Sequence, residues 1–222
     1  MKPRCSNQRN HALTITEVLV VVVVLAVLAA MLLPAGNGSR IQAKARRINC
    51  VNNLKEIGLA YKIWAGDHSG KFPMQVSITE TNGGTMELTA TGNAVAPFQI
   101  MSNELGTPLL LYCTADKDHS RATNFTTDFN NSKISYFVGL NADQDHPQTF
   151  LSGDDNFAID GVPVKSGLLE LLTNAPISWT AARHVNQGNI GLADGSVQQA
   201  TSSYLRQSLQ QTGLATNRLA IP

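Results

Sequence analysis

The chain lacks the closely spaced residue patterns on which most enzyme active sites and metal sites depend. It contains no CxxC pair and no HExxH motif for zinc, no glycine-rich loop for phosphate and no nucleophile elbow. Cysteine is rare, with three residues in 222. We therefore predict that the protein is not an enzyme, that it has no catalytic residues, and that it has no cofactor or metal apart from the calcium considered below.

Charged residues are also scarce, at 15% of the chain, and the net charge is only +1. Residues 1–12 carry three basic and no acidic side chains, and residues 13–65 carry six basic and two acidic ones. Residues 66–222 carry eight basic and fourteen acidic side chains. An acidic C-terminal part does not suit a phosphate backbone, so we predict no nucleic-acid partner.

One long apolar run is present, at residues 18–33, directly after Glu17. It admits three interpretations, which are a secretory signal peptide, a permanent membrane anchor and a buried core helix. Its far end, Met31–Pro34, lacks the small residues of a signal cleavage site, and its valine-rich, weakly amphipathic composition does not suit a core helix. From Leu13 to Pro34 a helix would span about 30 Å, the thickness of a hydrocarbon core. We predict a membrane-embedded segment over 13–34.

The residues Leu13-Thr-Ile-Thr-Glu17, followed by this run, resemble the processing site of type IV prepilins and type II secretion pseudopilins. The resemblance implies that prepilin peptidase cuts between Ala12 and Leu13, removes residues 1–12 and methylates the new amine. Glu17 then takes the place of the family's fifth-residue glutamate, and Pro34 that of a proline that bends its long helix. The match has differences, since Ala12 stands for the usual glycine and Leu13 for the usual phenylalanine.

A carboxylate inside an apolar segment is costly in lipid, so Glu17 is expected to have a function. We expect it to have no partner within its own chain. In a filament it would pair with the amine of a neighbouring subunit. This pairing removes much of the cost of burying the carboxylate and favours one axial offset between neighbouring subunits. The alternative is that Glu17 lies among the lipid headgroups and has no role.

A second resemblance lies near the C-terminus, where His184 is followed after nine residues by Asp194-Gly195. This H-X9-DG pattern is similar to one found in many pilin-like proteins. An extended chain between His184 and Asp194 would span about 33 Å, so the two do not suit a catalytic pair without a fold-back. We interpret Asp194-Gly195 as a turn and His184 as an orienting or packing residue.

Cleavage would remove Cys5 together with residues 1–12, so the mature chain would retain Cys50 and Cys113. An even pair outside the cytoplasm is compatible with one disulfide, and two buried reduced thiols are the alternative. Helical spacing supports the pairing, because Cys50 begins an apolar stripe that would dock on a sheet. The stripe consists of Cys50, Leu54, Ile57, Tyr61 and Trp64.

Together these patterns predict an α+β fold. A long bent N-terminal helix, membrane-embedded in its first half, would pack on a small antiparallel β-sheet head, with a short C-terminal helix at residues 203–211. The predicted parts are a leader (1–12), a transmembrane and assembly helix (13–34), an amphipathic stalk helix (35–65) and a globular head (66–222). The predicted head elements are a hairpin over 77–96 turning at Asn82-Gly83, a helix at 98–105, strands at 109–112, 135–140 and 148–152, and a hairpin over 188–200.

Three pairs of acidic residues lie in predicted loops of the head. They are Asp116 with Asp118, Asp143 with Asp145, and Asp154 with Asp155. Such oxygens can bind calcium, and some major pseudopilins do so in a head loop, but none of these pairs fits an EF-hand. We interpret them as solvated turn residues.

The resemblance implies a non-enzymatic, pseudopilin-like structural subunit of a type II secretion or type IV pilus-like filament. It would cross the inner membrane once, with its head in the periplasm or on the cell surface in a filament. Basic residues at 40–47 compete with the leader for the cytoplasmic side, but the cleavage pattern and the cysteine pair favour placing 35–222 outside. The expected partners are prepilin peptidase, the inner membrane and other pilin-like subunits in a homo- or hetero-polymer. The alternative is a membrane-tethered binding module, adhesin or enzyme with an exported head.

Overall fold

The computed structural model describes residues 14–32, 38–81 and 83–222. The chain divides into two compact units, residues 1–42 and 43–222. Helix α1 (Ile15–Leu32) lies in the first unit, and helix α2 (Gly38–Asp67) begins in it and continues into the second. None of the described helices combines the length and the apolar character needed to cross a membrane.

Helix α1 presents apolar side chains on all of its sides. The large apolar residues from Val18 to Leu28 are 49–61% exposed. This exposure agrees with the prediction that α1 is not a buried core helix. Pro34, and with it the predicted bend, lies outside the described residues.

Helix α2 docks through the stripe that the sequence predicts. The five stripe residues from Cys50 to Trp64 are at most 3% exposed and belong to one core cluster with the sheet. The helix ends at Asp67, where Ser69 and Gly70 enter the left-handed region and Gly70 donates its backbone N–H to the carbonyl of Ala65 at 2.8 Å.

Between α2 and the sheet the chain forms short helices and turns. They are α3 (Met86–Ala90), α4 (Val95–Ile100), α5 (Ser102–Leu105) and 3₁₀ turns at Pro73–Gln75, Pro108–Leu111 and Asn131–Lys133. The predicted helix over 98–105 corresponds to α4 and α5.

Two strand predictions in this region are wrong. The predicted hairpin over 77–96 is instead an irregular segment leading into α3, where the Glu87 carboxylate accepts hydrogen bonds from the Ser77 hydroxyl and the Ile78 amide. Asn82 lies outside the described residues. The predicted strand over 109–112 is a 3₁₀ turn that starts at Pro108, which has no N–H for a strand ladder.

Within the described residues, nine strands form two antiparallel sheets. The larger has the order β5-β9-β1-β2-β7-β8 and the smaller the order β4-β3-β6. The strands are β1 (Tyr136–Gly139), β2 (Phe150–Asp154), β3 (Phe157–Ile159), β4 (Val162–Pro163), β5 (Gly167–Leu172), β6 (Ile177–Trp179), β7 (Gln187–Leu192), β8 (Val197–Thr201) and β9 (Thr216–Ile221). The predicted strands at 135–140 and 148–152 are β1 and β2, which pair, and the predicted hairpin over 188–200 is β7–β8.

Both faces of the larger sheet are buried, each against a different helix. On β1, Tyr136 and Val138 join the cluster of α2, while Phe137 points to the opposite face. That face is covered by α6 (Ser202–Gln211) through Leu205 and Leu209. The α+β architecture, with an N-terminal helical region, an antiparallel sheet and a short C-terminal helix, is therefore as predicted. The sequence did not predict β9, which follows α6.

Candidate functional site

Glu17 lies in the first turn of α1 and has a partner in its own chain, contrary to expectation. Its Oε2 accepts hydrogen bonds from the backbone N–H and the hydroxyl of Thr14, both at 2.8 Å. Thr14 is a neutral donor, and within the described residues Glu17 forms no salt bridge. The local bonds hold the carboxylate in place without neutralising its charge. Ala12, Leu13 and Pro34 lie outside the described residues.

The two halves of the H-X9-DG pattern lie at opposite ends of β7, and both face α2. At one end His184 approaches the cysteines, and at the other Asp194 and Gly195 form the turn into β8. Strand β7 is about 20 Å long, and the stretch of α2 from Arg47 to Lys62 is about 22 Å long, so the two have similar lengths. The pattern therefore marks the two ends of one strand that runs along the stalk helix.

The turn end of β7 is held close to α2. Gly195 has φ +85°, and a Cβ built on Gly58 of α2 would lie 3.5 Å from the Gly195 Cα. The ammonium of Lys62 donates to the carbonyl of Asp194, and the Asp194 carboxylate accepts the backbone N–H of Ser196 at 2.8 Å. Asp194 thus has the geometry of a turn residue, and Gly195 is needed for its positive φ.

The histidine end of β7 begins with a strained turn. His184, Val185 and Asn186 are three consecutive non-glycine residues with φ between 50° and 57°. Such a conformation costs roughly 1–2 kcal/mol per residue. The guanidinium of Arg47 on α2 bonds to the side chain of Gln187 and the carbonyl of Gly188, so the helix anchors the start of the strand immediately after the strained turn.

His184 is paired with Asp154 rather than with Asp194. Its Nε2 lies 3.5 Å from the Asp154 Oδ2, and the two side chains are 1% and 0% exposed. Burial lowers the pKa of His184 to about 4, with contributions from Arg47 and Arg183, and burial raises the pKa of Asp154 to about 7. A cavity of about 430 Å³ lies at this end of β7, but the nearly buried imidazole faces the interior.

Cys50 and Cys113 are joined by a disulfide beside His184. Their Cα atoms are 5.5 Å apart and both residues are fully buried. Cys50 comes from α2, and Cys113 follows the 3₁₀ turn at Pro108–Leu111. The bridge fastens the helix to the head at the same end of β7 as the strained turn.

Comparison with known families gives one match. Residues 7–33 match the prokaryotic N-terminal methylation motif, a segment that includes Ala12, Leu13 and Glu17. The N-terminal segment of the chain is therefore similar to that of type IV pilin-like proteins. Neither a curated protein nor a solved structure matches the chain.

Removal of the disulfide from this pilin-like chain is expected to reduce its stability strongly. The bridge links residues 63 apart, so replacing both Cys50 and Cys113 by alanine is expected to lower the free energy of unfolding by about 4 kcal/mol. Denaturant unfolding of the detergent-extracted chain would measure the change. Wild type carried through the same extraction without reductant is the reference, and an unchanged midpoint would contradict the bridge.

The head contains a second buried cluster, which is built around Arg183. The sequence patterns did not predict that its residues would come together. The guanidinium of Arg183 lies 2.8 Å from the Asp116 carboxylate and also contacts Asp155. His119 Nδ1 lies 2.8 Å from Asp116, and Ser135 donates its hydroxyl to the same carboxylate at 2.6 Å. These contacts hold the pKa of Asp116 well below its usual range and raise the pKa of His119. Burial raises the pKa of Asp155 to about 6.

The acidic pairs considered for calcium do not converge on common points. Asp116 accepts the backbone N–H groups of Asp118 and His119, and Asp143 accepts the N–H of His146. The interpretation as solvated turn residues is wrong for Asp116, Asp154 and Asp155, which are buried, and the possibility of calcium stays a prediction. Asp154 and Asp155 point to different clusters, one to His184 and the other to Arg183. Two dipeptides in the sequence could have indicated these two clusters, the acidic Asp154-Asp155 and the basic Arg183-His184.

Proposed function

We propose that this chain is a pseudopilin-like structural subunit of a type II secretion or type IV pilus-like filament. The observation that carries the proposal is the methylation motif at residues 7–33, because it spans both the proposed cleavage site and Glu17. The subunit would be cut by prepilin peptidase between Ala12 and Leu13, be methylated at the new amine, and polymerise with pilin-like subunits.

The properties of α1 support assembly through this helix. Its large apolar side chains from Val18 to Leu28 are half exposed on every side, so the helix needs a bilayer or other helices around it. We propose that it holds the chain in the inner membrane before assembly and lies among neighbouring α1 helices afterwards. The head, residues 66–222, would lie in the periplasm or on the outside of the filament.

Mass spectrometry of the membrane-extracted protein tests the processing step. In cells with prepilin peptidase, we expect an N-terminus at Leu13 that carries the mass of one added methyl group. Cells without the peptidase are the control and should retain Met1–Ala12. An intact Met1–Ala12 segment in the presence of active peptidase would overturn the assignment.

The rival is a tethered binding module, adhesin or enzyme whose anchor only holds it. The cavity beside His184 is the one observation that favours it, and the imidazole there is 1% exposed. Under this rival, Glu17→Ala would leave the function of the chain intact, whereas under the filament proposal the same change blocks assembly and leaves the head folded.

A further inference from the structure

Four side chains from four distant parts of the sequence converge between α2 and the larger sheet. They are Cys50 of α2, Cys113, Asp154 at the end of β2, and His184. One ligand atom from each lies within 4.8 Å of all the others. The cysteines and Asp154 are fully buried, and the His184 side chain is 1% exposed. Two sulfurs, an imidazole and a carboxylate are donors of the kinds that zinc takes in proteins.

The distances within this cluster already suit a tetrahedral ion. The Nε2 of His184 lies 3.4 Å from the Cys113 Sγ and 3.5 Å from the Asp154 Oδ2. With zinc bonds of about 2.3 Å to sulfur and about 2.0–2.1 Å to nitrogen and oxygen, neighbouring ligand atoms stand about 3.3–3.8 Å apart. The edge between His184 and Cys113 therefore already has the required length, and a ligand atom of Asp154 lies within 4.8 Å of both.

An unsatisfied buried oxygen points to a missing partner at this place. Among the described residues, the Oδ1 of Asp154 has no hydrogen-bond donor although it is buried. The other oxygen, Oδ2, accepts the backbone N–H and the side-chain amide of Asn189, both at 2.8 Å. These two hydrogen bonds hold the carboxylate in one orientation, as hydrogen bonds from neighbouring groups do for the ligands of metal sites.

The surrounding charges are compatible with a metal and two thiolates. Two thiolates and one carboxylate carry three negative charges, which a divalent ion reduces to one. Arg47 donates its Nε–H to the side chain of Asn189, which itself donates to Asp154, so one guanidinium group lies near the remaining charge. A buried site with this balance avoids an uncompensated ion.

We propose that the reduced protein binds one zinc-type divalent ion through Cys50, Cys113, Asp154 and His184. A dithiol reductant supplies two electrons and two protons, the S–S bond breaks, and the reductant becomes a disulfide. The ion then replaces the two thiol protons, which leave to solvent. The two sulfurs stand about 3.8 Å apart in a tetrahedral zinc site and about 2 Å apart in a disulfide. They therefore have to move apart by less than about 2 Å when the ion binds.

The two states would fasten α2 to the head at the same point. Under oxidising conditions the covalent bridge makes the link, and under reducing conditions the metal does so. His184 would then hold its place in the H-X9-DG pattern as a ligand in one state and as a packing residue in the other.

Cobalt titration of the full chain in detergent tests the proposal. The protein is reduced with a phosphine without oxygen, freed of reductant and titrated with Co²⁺. We expect one Co²⁺ per chain, a thiolate-to-cobalt charge-transfer band and tetrahedral d–d bands, all removed by one equivalent of Zn²⁺. The oxidised protein should show none of these bands. His184→Ala should bind Co²⁺ at least about tenfold more weakly, and Asp154→Asn should weaken binding in the same direction.

His146→Ala is the matched control, because His146 is an exposed histidine outside the cluster and should leave the titration unchanged. Thermal unfolding of the oxidised variants verifies that each is folded. If both ligand variants fail to fold, X-ray absorption of the zinc-loaded wild type tests the proposal instead. We expect the zinc ion to have two sulfur neighbours and two nitrogen or oxygen neighbours. Sulfur-only coordination, octahedral cobalt, or equal affinity in His184→Ala would overturn the proposal.

Discussion

Glu17→Ala is expected to abolish filament assembly while the head remains folded. The carboxylate of Glu17 retains its charge in the isolated chain, because its partner there is the neutral Thr14. Among packed α1 helices, loss of that charge would leave the neighbouring amine unpaired in an apolar environment. We expect each subunit contact to weaken by more than about 1.4 kcal/mol, which is about tenfold in its association constant, and the sedimentable polymer to be lost. Cross-linking and sedimentation from cells that express the whole system would measure it.

Two further variants separate the charge of Glu17 from its local hydrogen bonds. Glu17→Gln keeps an acceptor for Thr14 but removes the charge, and it should fail to assemble as Glu17→Ala does. Glu56→Ala removes an exposed glutamate of α2 and should assemble normally. Normal filaments from Glu17→Gln would show that the charge has no role. A wild type that forms no polymer, with a head function unchanged in both Glu17 variants, would favour the tethered rival.

The second large effect is expected from Arg183→Met. This change leaves the Asp116 and Asp155 carboxylates buried without their guanidinium partner. Breaking a buried ion pair from one side costs about 3–5 kcal/mol. We expect the free energy of unfolding to fall by this amount at neutral pH, as measured by denaturant unfolding. Arg218→Met, which removes an exposed arginine from β9, is the matched control and should change it little.

The pH dependence of this deficit supplies an independent check. In the wild type the pKa of Asp116 is lowered, so its contribution is present above the unfolded pKa and is lost as the pH falls. Without Arg183 the pKa of both carboxylates would rise, and the folded variant would take up these protons at a higher pH than the wild type does. The deficit should therefore be largest above pH 6 and shrink on acidification. A deficit independent of pH would mean that lost packing, and not charge, explains the variant.

Local signals in the sequence were sufficient for several elements of the fold. The stripe from Cys50 to Trp64 follows helical spacing and is buried, and Asp194-Gly195 has the residue types of a tight turn and forms one. Leu205 and Leu209 lie one helical turn apart and both are buried in α6. In each case one short segment contained all the information that the prediction needed.

The failures arose where distant residues decide the structure. The segment 77–96 has strand-like composition, but the Glu87 carboxylate accepts hydrogen bonds from Ser77 and Ile78, ten and nine residues away in the chain. The Arg183 cluster unites positions 116, 155 and 183, and the proposed metal ligands lie at 50, 113, 154 and 184. Motifs based on spacing detect ligands from one loop or helix, and these ligands come from separate segments that only the sheet brings together.

The position of β9 constrains when the head can fold. This strand, Thr216–Ile221, lies between β1 and β5 in the larger sheet and pairs with both. Residues 167–172 have no neighbour in that sheet until residues 216–221 have been synthesised and delivered to the same compartment. An emerging chain would thus keep its larger sheet incomplete until residues 216–221 follow. Any holdase that protects the emerging polypeptide would have to release residues 167–172 only after that strand arrives.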